Sequence, residues 1–115
     1  MARPQTLGEH AEALAADYLR LLGCRIEGTR VRLAGVEIDL VARDGDATVL
    51  VEVRARSRSD YGSAVETLDG RKRERLRRAA LALRAPGPVR IDVIALDLGA
   101  DELRVRRIRN AIAGD

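Results

Sequence analysis

A period-two alternation over residues 36–56 constrains this chain more tightly than any other feature of its sequence. Val36, Ile38, Leu40 and Ala42 fall on one side of an extended segment, with Glu37, Asp39, Val41 and Arg43 on the other. In the next segment Val49, Val51, Val53 and Ala55 share a face, and Leu50, Glu52, Arg54 and Arg56 share the opposite one. Asp44-Gly45 between the two is a short-hairpin signal. Both apolar rows must meet one core, so the register can move only in steps of two. A two-residue turn at Asp44-Gly45 would set Glu37 opposite Glu52 and Asp39 opposite Leu50. A four-residue turn would set Asp39 opposite Glu52. Under either register Glu37, Asp39, Glu52 and Arg54 are expected on one face, within about 4.5–8 Å of one another.

The remaining pattern places helices and strands around this hairpin. Thr6 followed by Glu9 is a capping box, and it opens a helix predicted over 7–22 with an apolar stripe of Leu7, Ala11, Leu14, Ala15, Tyr18 and Leu22. Gly23 supplies the stop. A strand is predicted over 25–32, then a turn at Leu33-Ala34-Gly35, the hairpin strands over 36–43 and 47–56, and a loop over 57–68. A second helix is predicted over 70–83 with Asp69 as its cap. Leu76, Ala79, Ala80 and Leu83 form its buried stripe, and Arg71, Lys72, Arg73, Arg75, Arg77 and Arg78 its outer face. Val89 to Leu96 reads as an apolar central strand and Leu103 to Ile108 as an arginine-bearing edge strand. The order αβββαββ predicts an α/β fold, one mixed sheet with helices packed on it.

Composition bounds the class. At 115 residues with 46% apolar content, one domain with one packed core is expected. There is no Phe or Trp, so Leu, Val, Ile and Ala must do the packing. Cys24 is the only cysteine, which excludes an internal disulfide and a thiolate zinc cluster, and it is expected as a small buried apolar residue. No apolar run reaches the roughly 18 residues of a membrane span. The first residues also lack the apolar stretch of a secretory signal, so a cytoplasmic location and no membrane partner are expected. The net charge of +3 is mild, and 20 of the 21 basic residues are arginine, with Lys72 the exception.

The predicted acidic cluster is costly, because facing carboxylates destabilise a ladder and raise one another's pKa. Two compensations are open. Arg54 and its neighbours can neutralise the cluster, or a divalent cation can bind between the carboxylates, and hard Mg²⁺ suits one or two carboxylates with retained waters. Asp92 interrupts an apolar strand, so as a buried carboxylate it is expected to need a partner, in a structural pairing. The basic face of the second helix and Arg30 and Arg32 are candidates for backbone contact with nucleic acid. The scarcity of aromatics disfavours a single-strand stacking platform.

Gly35-Val36-Glu37-Ile38-Asp39-Leu40-Val41-Ala42 followed by Val51-Glu52-Val53-Arg54-Ala55-Arg56 resembles the bacterial UPF0102 (YraN) family. Gly8-Glu9, Tyr61-Gly62-Ser63 before Arg71-Lys72, and Arg90-Ile91-Asp92-Val93-Ile94 fit the same pattern. That family is similar to the PD-(D/E)xK nucleases and to archaeal Holliday-junction resolvases. The resemblance implies a restriction-endonuclease-like mixed sheet and a Mg²⁺- or Mn²⁺-dependent nuclease hydrolysing phosphodiesters in structured DNA. Asp39 and Glu52 would be the metal-holding acids, Glu9 a third acid from the helix, and Arg54 the residue at the usual lysine position. Lys72, Arg71, Arg75, Arg30 and Arg32 would contact nucleic acid, and resolvase-like members imply a homodimer. Arginine cannot deprotonate water as a lysine of depressed pKa can. Two alternatives therefore stand beside the nuclease: a catalytically impaired nucleic-acid-binding module of the same fold, and an interaction domain without metal.

Overall fold

The computed structural model describes residues 5–57 and 68–112. The elements are α1 (Leu7–Leu21), β1 (Arg25–Leu33), β2 (Val36–Asp44), β3 (Ala47–Ser57), α2 (Gly70–Ala82), β4 (Val89–Leu98) and β5 (Leu103–Ile108). The predicted order αβββαββ is the one observed. Apart from Ser57, which ends β3, and Leu68, the predicted loop lies outside the described residues, together with Tyr61, Gly62 and Ser63.

The five strands form one mixed sheet in the order β1-β2-β3-β4-β5. Only β3 and β4 run parallel. The central place falls to β3, with β4 beside it and β5 at the edge. One face carries a core of Ala11, Ala15, Ala16 and Leu19 from α1 against Leu40, Val49, Val51, Ile94 and Leu96. The opposite face carries Leu76 and Ala79 from α2 against Val36, Ile38, Leu50, Ile91 and Val93. Cys24 is buried on the α1 side, as expected. No described helix is long and apolar enough to cross a membrane.

Both caps follow the sequence. Thr6 Oγ1 accepts the Glu9 N–H at 3.1 Å, and Glu9 Oε1 accepts the Thr6 N–H at 3.1 Å. Asp69 accepts the Lys72 N–H at 2.7 Å. On α1, Ala11 and Ala15 are buried as predicted and are joined by Ala16 and Leu19, whereas Leu7, Leu14 and Leu22 of the predicted stripe are exposed. A sheet stacked under a helix admits small side chains closely, so the alanine row wins the contact and these exposed leucines lie on the flank. On α2, Leu76 and Ala79 are buried as predicted.

Strict alternation on β2 also fails, at one point. Val36 and Ile38 pack on the α2 side, whereas Leu40 and Ala42 pack on the α1 side. The change of face falls at Asp39. Arg30, which the β1–β2 register brings opposite Asp39, has a φ of 51° within β1 at the same level.

Candidate functional site

The β2–β3 hairpin turns at Gly45-Asp46, closing on the Asp44–Ala47 pair. The register is the one expected from a four-residue turn, with Asp39 opposite Glu52, although the turn that sets it has two residues. The register becomes Val41 against Leu50 and Leu40 against Val51, and continued by one residue it brings Asp39 opposite Glu52. The regular ladder stops there, and the Asp39 side chain takes over: its Oδ2 accepts the Val53 N–H at 2.9 Å. Asp39 sits where β2 changes face, and its carboxylate reaches across to the backbone of β3.

Glu52 follows Val51 on β3, which pairs in parallel with β4 at this level through Glu52–Val93. Its side chain is only 4% exposed. Two cations bracket it: Arg54 Nη1 stands 3.9 Å from Oε2, and Lys72 Nζ 3.6 Å from Oε1. Oε1 is buried and has no hydrogen-bond partner among the described residues. Burial, and after it the charge of Asp39, push the Glu52 carboxyl up to about 7, and Lys72 and Arg54 act in the opposite sense. The Asp39 carboxylate is close enough to act on the Glu52 carboxyl, raising it. Two acids from neighbouring strands therefore converge as the sequence analysis expected.

Asp39, Glu52, Val53, Arg54 and Ala55 form one wall of a cavity of about 440 Å³, and Leu7, Gly8, Ala11 and Glu12 of α1 form the other. Glu9 is not part of this wall. Its carboxylate closes the capping box with Thr6 and lies 3.9 Å from Arg30. The helix acid that faces the cavity is Glu12, which also accepts the Arg30 Nε–H at 3.1 Å. Sequence reasoning passed over Glu12 because the predicted stripe ran through Leu14 and Leu22 beside Ala11 and Ala15. With Ala16 and Leu19 as the buried partners of Ala11 and Ala15, the helix turns Glu12 toward the sheet.

Other candidates separate from the pair. Glu37 lies between two residues packed on the α2 side, so it projects to the other side and is exposed. It does not share a face with Glu52, and the change of face at Asp39 is the reason. Arg32 donates to the Gly35 carbonyl at 3.2 Å. Arg71 and Arg75 are exposed on α2, but Lys72 turns inward to Glu52. Asp92 is fully buried and satisfied by Arg90, Arg107 and the Asn110 N–H at 2.9–3.1 Å, which makes it a structural anchor. Among the described residues no three His, Cys, Asp or Glu side chains converge on one point.

The model of the uncharacterised protein family UPF0102 matches residues 11–96. The chain belongs to the UPF0102 family. A UPF0102 protein of Halorhodospira halophila is 46% identical over 82% of this chain and 79% of its own length. Relatives from Dehalococcoides mccartyi and Stutzerimonas stutzeri are 38% and 39% identical, over 91% and 96% of this chain and 91% and 98% of their own lengths. The matched span contains Glu12, Asp39, Glu52, Arg54 and Lys72 and begins after Glu9.

Proposed function

We propose that this UPF0102 protein is a Mg²⁺-dependent nuclease that hydrolyses phosphodiesters in structured DNA. The carrying observation is the Asp39–Glu52 pair: two neighbouring carboxyl groups that line a 440 Å³ cavity, one of them with a buried oxygen that has no hydrogen bond among the described residues. A buried acceptor without a donor is expensive, and a hard cation would satisfy it. Mg²⁺ asks for one or two protein carboxylates and several waters, which fits two acids beside an open, polar cavity.

In this reading Asp39 and Glu52 hold the ion. Asp39 is fixed by the Val53 N–H, so one oxygen is committed and its direction is set. Glu12 reaches the same cavity from α1 and would orient a water there, standing where the resemblance expected Glu9 as a third acid toward the metal. When bound, the cation supplies positive charge against the attacked phosphate and a more acidic water. Arg54 would hold a non-bridging phosphate oxygen through its planar fork. Water adds to phosphorus, one backbone P–O bond breaks, and a phosphate monoester and a hydroxyl result. Arg71 and Arg75, exposed on α2, would hold the backbone beyond the site.

The test incubates the protein with linear duplex, single-stranded and four-way-junction DNA, with Mg²⁺ or Mn²⁺ or with chelator. Metal-dependent cutting that disappears in both Asp39→Ala and Glu52→Ala is the expected result. No cutting by the wild type with either metal refutes the proposal. A specific observation favours a second reading: two residues after Glu52 on β3 stands an arginine, Arg54, where the resemblance to the PD-(D/E)xK nucleases implies a lysine. Binding of junction DNA without metal-dependent cutting would identify the chain as a binding module of the same fold.

A further inference from the structure

We propose that Lys72, delivered from the first turn of α2, is the catalytic cation of this site and contacts the attacked phosphate, in place of a lysine on β3. The inference rests on the nuclease reading above and assigns Lys72 a role different from the backbone contacts of its helix neighbours.

Four observations carry it. Lys72 is the single lysine of a chain that otherwise uses arginine. Its side chain is drawn in to 33% exposure, while Arg71 before it and Arg75 after it are exposed. Its Nζ lies 3.6 Å from Glu52 Oε1, the buried oxygen that has no hydrogen bond among the described residues, and Arg54 takes the other oxygen. The fourth is its place in the helix. Lys72 is third in α2, one turn from the Asp69 cap, where the positive end of the helix dipole disfavours a cation. Attraction to the buried carboxylate offsets that cost.

Chemistry separates the two cations beside Glu52. An ammonium has three donors on a flexible stem and can follow an oxygen as charge builds on it. The Lys72–Glu52 contact is longer than a hydrogen bond, which leaves donor directions for a phosphate oxygen beside Glu52, on the α2 side of the acid pair. Arg54 presents a fixed plane and suits a ground-state grip. Glu52 stands between them, so the phosphate would be met by Lys72 from α2 and by Arg54 from β3.

The experiment pairs two readouts. Single-turnover cleavage of saturating duplex and junction DNA is measured in Mn²⁺. Affinity for the same DNA is measured in Ca²⁺ by fluorescence anisotropy, and Mn²⁺ binding by electron paramagnetic resonance. Lys72→Met is expected to lower the cleavage rate by about 100-fold or more, as removal of a charge-stabilising donor does. Its Ca²⁺-supported DNA affinity should stay within roughly threefold of wild type, and Mn²⁺ should still bind. Arg54→Lys added to Lys72→Met is expected to restore much of the rate, because it returns an ammonium to the site. Should Lys72→Met fold poorly, Lys72→Arg keeps the charge but fixes its plane, and a rate loss of about tenfold or more is expected. A wild-type rate in these variants overturns the proposal, as does lost DNA affinity with the rate intact. Loss of Mn²⁺ binding together with activity also overturns it, since Lys72 would then only support Glu52. A wild type that never cuts overturns the nuclease reading itself, and with it this one.

Discussion

Replacing Glu52 by glutamine should stabilise the protein, and the gain should depend on pH. Glu52 is buried against Asp39, and its carboxyl is pushed up from 4.5 to about 7 by burial and by the Asp39 charge. An acid whose folded-state value is raised favours the folded state while it is protonated in both states. Between pH 4.5 and 7 the unfolded chain gives up that proton and the folded chain keeps it. Stability is therefore lost as pH climbs through this window, and the loss is complete above it. The gap corresponds to roughly 3 kcal/mol. Glutamine has the same shape, carries no charge at any pH, and its amide can donate a hydrogen bond as the protonated acid can. Glu52→Gln should match wild type within about 1 kcal/mol at pH 5 and exceed it by roughly 3 kcal/mol at pH 8. For a domain of this size that is a rise in melting temperature of about 10 °C. Urea denaturation followed by circular dichroism at the two pH values measures it. A difference that does not change with pH, or a variant less stable than wild type at pH 8, would refute the reasoning. Such results would mean that Lys72 and Arg54 neutralise Glu52 fully.

Three further outcomes follow from the geometry. Mn²⁺ at about 100 times its dissociation constant should stabilise the wild type by roughly 2.7 kcal/mol, and Asp39→Asn should abolish the effect in a thermal melt. Asp92→Asn should cost about 3–5 kcal/mol in urea denaturation, because it strips a charge from Arg90 and Arg107 in a buried network. Gly87→Ala should cost about 1–3 kcal/mol: φ there is 130°, and a Cβ would stand 2.6 Å from the Asp46 carbonyl oxygen of the hairpin turn.

The local signals carried far in this chain because they depend on neighbours in sequence. Thr6, Glu9, Gly23 and Asp69 fix helix ends through backbone hydrogen bonds or φ angles that no distant residue has to supply. The strands were readable from alternation for the same reason. The convergence of Asp39 and Glu52 was legible too, since only two registers kept both apolar rows on a core. The choice between those registers was not: the structure takes the one with Asp39 opposite Glu52, closed by a two-residue Gly45-Asp46 turn in place of the four-residue turn considered for it.

What the sequence by itself determined is therefore the order of elements, the helix caps and the pair of strands that carry the acids. Tertiary structure decided which side chains those acids meet. The sheet took the alanine row of α1, and that rotation brought Glu12, not Glu9, to the cavity. Lys72 was written on the solvent side of α2, yet a buried carboxylate on β3 drew it inward. Asp39 left the face assigned to it because β2 changes sides there. Each of these depends on packing between segments far apart in sequence, and the energy of a buried charge is set by what surrounds it, which a one-dimensional pattern does not record.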